Sequence, residues 1–528
     1  MQQPTFLYSN FDPLPDHFFS GYCFIGSDFI YGDEGAKRFT EATASTIDPG
    51  EDGCYIIIRK TKGGHIIGAD FKGYKKLFVY QNGSVWAVSN SFMRLVCFAR
   101  DRGQSISVDD SQLAAWFVKG SFGDQLSSFA TAVREIRLVP SSCCLLITLS
   151  GCRLDELPRA RRMSYPEALH TFMSVWLGRL KGLLLDPTIT VLSDLTGGKD
   201  TRAVLSLFLA VAPHLGDGAP CVRYVSLAGS QNIDDLSVAK KLCSHFSLPL
   251  NEKITVETVK LDAKASYLAW QDLCIGVYAP IYFPTHEPSP VVVRFSGGGG
   301  ESHRPFYPRI PTSWFLERQR KYFQFDQEYF AWKEEVLSAI RFLQQRAPKP
   351  HPLILHYREF RDRSHVGRGA QYYVELLPLG SKFLQACSDA YQGSAEDDQI
   401  LYDIMQNLAP GLADMPYDKH TKLPSEQHKA RLMVVDYTIP NAGLVFCSSA
   451  QPRRTAIAAS SKNQFVLLKE ALDKTLSEPA PLHFGQQYRS AAERVLDLAL
   501  KTGRFSHATD AAPIHHLLLA NVVSAAGG

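Results

Sequence analysis

Apolar and polar positions follow two different rhythms along the chain, and the change comes near residue 157. Before it, short apolar runs are separated by turn residues: CYIIIRK (54–60), GHIIGAD (64–70), KKLFVY (75–80), VWAVSN (85–90) and CCLLITL (143–149). Runs of this length predict strands, and the Asn-Gly of QNGS (81–84) between two of them predicts a hairpin. The expected unit is an antiparallel, sheet-rich domain over residues 1–157.

After a polar segment that reads as a linker (RLDELPRARRMS, 153–164), the spacing becomes helical, with Ala168, Phe172, Val175 and Trp176 on one face. Strand-like and helix-like segments then alternate. The strands are TITVLSDL (188–195), CVRYVSLAG (221–229) and PVVVRFSGGGG (290–300), with helical patterns after Gly198 and over 233–246. This alternation predicts a parallel sheet covered by helices, with ligands beyond the carboxyl ends of its strands. The aromatic segment 319–350 reads as a helix ending before its prolines, its rings expected to fill a core rather than to hold a ligand. From residue 385 onward the pattern is largely helical, broken around Pro424.

The stretch VLSDLTGGKDTRAVLS (191–206) carries the first candidate chemistry. A strand runs into Thr196-Gly197-Gly198 and then into a helix. Glycines let backbone N–H groups approach a ligand closely, and Thr196 and Thr201 add hydroxyls at a helix N-terminus whose dipole favours anions. The expected ligand is a phosphate.

Composition narrows the classes. With 528 residues, 45% apolar and 21% charged, the chain has material for two or three globular domains. A formal net charge of +3, with the basic residues dispersed, argues against a nucleic-acid partner. No apolar run is long enough to span a membrane, and the first residues lack the pattern of a secretory signal. Eleven scattered cysteines without a CxxC point to reduced thiols in a cytoplasm rather than to disulfides or zinc.

LTGGKDTR (195–202) resembles the Ser-Gly-Gly-x-Asp-Ser pyrophosphate loop of the N-type ATP pyrophosphatases, with threonine for both serines. YVSLAGSQNIDDLSVAKKLC (224–243) is similar to the next strand and helix of asparagine synthetases, and RFSGGGGESHR (294–304) to their third loop. In the first 157 residues, GADFKGYKKLFVYQNGSVWAVSN (68–90) and the segment 113–147 resemble the glutaminase half of that family. By this likeness the chain is identified as a member of the asparagine synthetase superfamily.

The implied fold is α/β plus α+β. An N-terminal Ntn-hydrolase-like (degenerate class II glutaminase-like) domain, 1–157, precedes an ATP pyrophosphatase domain with a helical C-terminal part, 158–528. The resemblance implies ATP and Mg2+ as cofactors. Thr196, Gly197, Gly198, Asp200, Thr201, Ser226, Leu227, Asp235, Ser296 and Gly297 would bind nucleotide, the backbone near Ser226 and Leu227 receiving adenine. Asp200 and Glu301 would hold the metal.

The departures shape the implied activity. Position 2 is Gln2 where a working glutaminase has its nucleophilic cysteine, and Cys23 lies in a strand-like run, so glutamine hydrolysis is not expected. Relatives without that cysteine, the β-lactam and carbapenam synthetases and the lasso-peptide cyclases, use an internal amine. The residue at the position of the acid–base group in the third loop is Gly298, which matches none of them. Glu375 is the candidate replacement base, and Lys419 and Lys422 are candidates to stabilise pyrophosphate. His303 and Arg304 would bind an anionic substrate or cap a helix. The expected reaction is AMP-forming amide ligation of a small-molecule or peptide carboxylate with an amine. The alternatives are an ammonia-dependent asparagine synthetase type and a noncatalytic nucleotide-binding homologue. A homodimer is compatible with the sequence.

Overall fold

The computed structural model describes residues 5–159, 161–216, 222–226, 233–251, 259–289, 291–391, 398–447, 461–478 and 484–527. Among the described residues, ten strands precede residue 157: β1 (Leu7–Ser9), β2 (His17–Ile25), β3 (Asp28–Tyr31), β4 (Gly53–Thr61), β5 (Gly64–Ala69), β6 (Phe78–Asn82), β7 (Val85–Ser89), β8 (Ile136–Leu138), β9 (Cys143–Thr148) and β10 (Gly151–Glu156). Among the described residues six follow: β11 (Thr190–Asp194), β12 (Arg223–Val225), β13 (Leu250–Asn251), β14 (Val292–Phe295), β15 (Glu375–Leu376) and β16 (Val445–Phe446).

The early strands build two sheets, ordered β1-β7-β6-β8 and β10-β9-β5-β4-β2-β3-β16. The QNGS hairpin forms as its turn chemistry dictates: Asn82 pairs with Val85 across Gly83, whose φ is +59°. In β4 the run Cys54 to Ile58 is apolar without alternation because both of its faces are covered. Ile56 and Ile58 pack with Ile67, Leu145 and Ile147 against Val79, Trp86 and Val88 of the smaller sheet. On the opposite face, Tyr55 and Ile57 meet Ala36 and Phe39 of the helix Gly32–Thr43. The helix Phe92–Asp101 covers the outer face of the smaller sheet through Phe92, Leu95, Val96 and Ala99, beside Phe78, Tyr80 and Ala87. The layers are therefore helix, sheet, sheet, helix.

The five later strands, β13-β12-β11-β14-β15, form a sheet that is parallel throughout. The chain leaves β11 for β12 and β13 on one side and returns to β14 and β15 on the other, so the strand order reverses between β11 and β14. Helices Tyr165–Leu185, Lys199–Val211, Ile233–His245, Lys382–Ala390 and Gln399–Leu408 share one core with this sheet. The molecule thus combines α/β with several sheets, one of them parallel.

Three elements differ from the expectation. The polar segment read as a linker begins as the edge strand β10, whose residues 153–156 are exposed; a strand wet on both faces carries no apolar alternation. The 319–350 helix starts only at Asp326, after a 3-10 turn, and Tyr329 and Trp332 fill a core with Phe122 and Phe315. The C-terminal third is not all helix: β16 adds in parallel to β3, and Phe446 packs on Phe39. Among the described residues no helix is long and apolar enough to cross a membrane.

Candidate functional site

The carboxyl end of β11 leads through Leu195, Thr196 and Gly197 to Gly198, the N-cap of the helix Lys199–Val211. Ala203, Val204, Leu207, Phe208 and Val211 bury that helix against the sheet and so fix where its N-terminus points. No side chain caps it, and the amides of its first turn stay available to an anion. Internal bonds hold the loop open. The Thr196 and Thr201 hydroxyls lie 3.0 Å apart, Thr196 N–H donates to Thr201 Oγ1 at 3.2 Å, and Gly198 N–H donates to Thr196 Oγ1 at 3.2 Å. Gly197 N–H donates to Asp235 Oδ1 at 2.8 Å, so Asp235 occupies one of the loop's donors.

The second glycine loop, after β14, is pressed against the first. A Cβ on Gly297 would stand 2.8 Å from Asp200 Cβ and 2.9 Å from Thr201 N, and one on Gly300 would overlap the Asp200 carboxylate. Gly299 has φ +90°. A Cβ on Gly298, where the resemblance places an acid–base group, would lie 2.7 Å from Val366 and 2.8 Å from Leu377, an apolar wall with no room for a side chain. Both loops end at the strand-order reversal between β11 and β14, the crevice where sheets of this kind take ligands.

The carboxylates expected on a metal are engaged otherwise. Arg304 donates from Nη1 to Asp200 Oδ1 at 3.0 Å and from Nη2 to Asp200 Oδ2 at 2.9 Å, while Nη1 also reaches Asp398 Oδ1 at 2.9 Å. Asp398 in turn pairs with Lys199. Burial works against the charge of Arg304, yet Asp200, by charge and hydrogen bond, and Asp398 hold its pKa above the ordinary value. Glu301 accepts from Tyr357 Oη at 2.8 Å. Among the described residues no three carboxylate, histidine or cysteine side chains are grouped as metal ligands. The loops leave first-turn amides and hydroxyls for an anion, but Asp200 and Glu301 as arranged do not fit Mg2+.

Of the remaining candidates, Glu375 sits on β15, half-buried. Burial raises its pKa, opposed by a hydrogen bond with Ser296 and by Arg294. A cavity of ≈ 20 Å³, room for about one water, adjoins it with Tyr22, Lys72 and Trp176 on its walls. Lys422 is held by Asp418 at 2.7 Å, and Asp418 N–H lies 3.4 Å from the Gly197 carbonyl, so Lys422 stands beside the loop. Lys419 is exposed. Ser226 follows β12 and is buried, its N–H donating to Asn251 O at 3.2 Å; Leu227 and Gln2 lie outside the described residues.

The two roles offered for His303 are both replaced. It is buried, bonded through Nε2 to the Leu379 carbonyl at 2.7 Å, and burial with nearby Arg358 and Lys72 drives its pKa well down. Uncharged, it does not attract an anion, and among the described residues no N–H donates to its Nδ1, so it caps no helix. Cys23 is buried with its thiol pKa pushed far up by burial, which leaves it inert.

Sequence reading missed Arg202, Asp398, Lys199, Asp418 and Tyr357. Arg202, wholly buried, donates to the carbonyls of Met415 (2.7 Å), Pro416 (2.6 Å) and Leu412 (3.3 Å) and lies 3.6 Å from the Tyr417 ring centre. It fastens the segment carrying Asp418 and Lys422 over the loop. An arginine in an otherwise apolar helix was the available signal.

Neither a protein-family model nor a curated protein matches the chain. Among solved structures it is similar to the glutamine phosphoribosylpyrophosphate amidotransferase from B. subtilis complexed with ADP and GMP, at 11% identity and a TM-score of 0.17 over 60% of this chain and 72% of that one. It is also similar to an allosteric regulatory enzyme of purine biosynthesis, at 11% identity and a TM-score of 0.16 over 54% of this chain and 55% of that one. Likeness at these scores carries no argument about fold or activity.

Proposed function

We propose that the chain binds ATP in the crevice between β11 and β14 and uses it to adenylate a carboxylate, which an amine then converts to an amide. The observation that carries this reading is the uncapped helix N-terminus at Gly198, framed by two interlocked glycine loops at the strand-order reversal. The helix–sheet–sheet–helix layers support an Ntn-type N-terminal domain of the asparagine synthetase superfamily, and the buried Cys23 supports its inactivity toward glutamine.

In this reading the first-turn amides and the Thr196 and Thr201 hydroxyls hold phosphate oxygens. Lys422, poised on Asp418, neutralises the departing pyrophosphate. Glu375, with its raised pKa, takes the proton that a neutral amine nitrogen loses as its lone pair bonds the acyl carbon and AMP leaves with the electrons of the acyl–oxygen bond. An amine tethered to or bound beside the acyl group gains effective concentration over free ammonia, which favours an organic amine. The substrate is a small-molecule or peptide carboxylate.

Carboxylate-dependent exchange of labelled pyrophosphate into ATP tests the proposal; binding of ATP without exchange across a broad carboxylate panel would refute adenylation. Asparagine formed from aspartate, ATP and ammonium would favour the ammonia-dependent type. The pairing of Asp200 with Arg304 favours a second reading, a noncatalytic nucleotide-binding protein, which predicts binding without AMP in every case.

A further inference from the structure

The glycine loops leave one charge arrangement unexplained by ATP binding as such. Asp200 stands in the first turn of the phosphate-facing helix, yet both of its oxygens are taken by one guanidinium. That guanidinium is delivered by the second loop itself, four residues after Gly300, and a second carboxylate, Asp398, fixes it from another side. Lys199 and Arg304 balance Asp200 and Asp398, and Glu301 is turned to Tyr357. A divalent cation could use Asp200 only by expelling Arg304 from a bidentate pair about three-quarters buried, leaving the guanidinium with Asp398 alone.

Resting on the nucleotide reading above, we propose that Arg304 stands in for the divalent cation: the chain binds the polyphosphate of a nucleotide without metal, and Asp200 holds the guanidinium rather than a metal ion. Three of the five N–H groups of Arg304 are used by Asp200 and Asp398. The Nε–H and one Nη2–H remain, among the described residues, for a phosphate oxygen, in the planar fork that suits that geometry. Gly297 and Gly300 are glycine for a related reason. A side chain at either would drive Asp200 off the position at which it presents Arg304 to the crevice.

The test uses the full chain and two independent readouts. Calorimetric titration with ATP in EDTA and in excess MgCl2 is expected to give affinities within about twofold of each other. Arg304→Gln should weaken metal-free binding by about tenfold or more, the scale of one lost charge-assisted contact. Arg304→Lys, which keeps the charge but not the fork, should fall between. Electron paramagnetic resonance of Mn2+ is expected to show no Asp200-dependent site in the wild type, a new site in Arg304→Gln, and its loss in Arg304→Gln/Asp200→Asn. Wild-type ATP binding about tenfold weaker in EDTA, or a wild-type Mn2+ site abolished by Asp200→Asn, would overturn the proposal. Absence of ATP binding in both buffers would overturn the nucleotide reading itself and the metal-free polyphosphate site with it. The Mn2+ arm would still decide whether Asp200 is a metal ligand.

Discussion

Gly297 shows how little freedom single positions have at the loop crossing. Its missing Cβ leaves room for Asp200 Cβ and the Thr201 amide, which are backbone-anchored and cannot swing away. Gly297→Ala should cost about 1–3 kcal/mol of stability by overpacking and should lower ATP affinity in calorimetry. Gly298→Ala meets only the side-chain ends of Val366 and Leu377 and should be milder on both measures. Asp70 offers a test by pH. It is fully buried, and although it accepts backbone N–H bonds from Tyr55, Tyr74 and Lys75, burial lifts its pKa from 3.8 to about 6. A carboxyl whose folded pKa is raised binds more protons folded than unfolded. Its contribution is complete below 3.8 and is lost as pH rises through about 6. Wild type should therefore lose on the order of 3 kcal/mol relative to Asp70→Asn between those limits. Urea melts of both proteins at pH 4 and 7 give the difference, and parallel pH profiles would contradict it.

Among the elements, the helix Lys199–Val211 does two jobs at once, anchoring the glycine loop at 196–198 and pinning the segment 412–417 through Arg202. Arg202→Met keeps the packing volume but leaves three carbonyls without their buried donor. A loss of about 3 kcal/mol is expected, the scale of breaking a buried charged hydrogen-bond set. Proteolysis should then open the chain between Leu412 and Lys422, with weaker ATP binding as the loop loses its cover. Unchanged protection would mean that Tyr417 and Asp418 hold the segment without Arg202. The edge strand β16 shows the limit of pattern at this scale. Two residues, Val445 and Phe446, complete a sheet whose other strands lie more than 400 positions earlier for β3, and nothing in so short a run marks it as a strand.

For the whole molecule, the face of β2 and β4 that carries Tyr22, Phe24 and Cys54 packs into the core of the parallel sheet, and Tyr22 Oη donates to the Glu375 carbonyl at 2.7 Å. The early sheets thus act as a wall for the later site, independent of any thiol chemistry. Supplied with ATP and glutamine, the protein should release no glutamate, and Cys23→Ser should leave nucleotide binding and any ligation unchanged. Steady glutamate release would show that a nucleophile other than the buried Cys23 is at work.

The sequence by itself determined the strand at 190–194, the loop and helix after it, the QNGS hairpin and the alternation of the parallel sheet, because turn chemistry and side-chain period act within a few residues and leave a local imprint. It also showed glycines at 197 and 297–300, though not the neighbours, Asp418, Asp200, Val366 and Gly380 among them, that a Cβ there would meet. Only the tertiary structure decided that Asp200 meets Arg304, 104 positions away, and Asp398, or that Gly298 faces Val366 and Leu377. Ion pairs of that reach are set by how the sheet brings two loop ends together, and a carboxylate presented to a metal has the same letter as one held by a guanidinium.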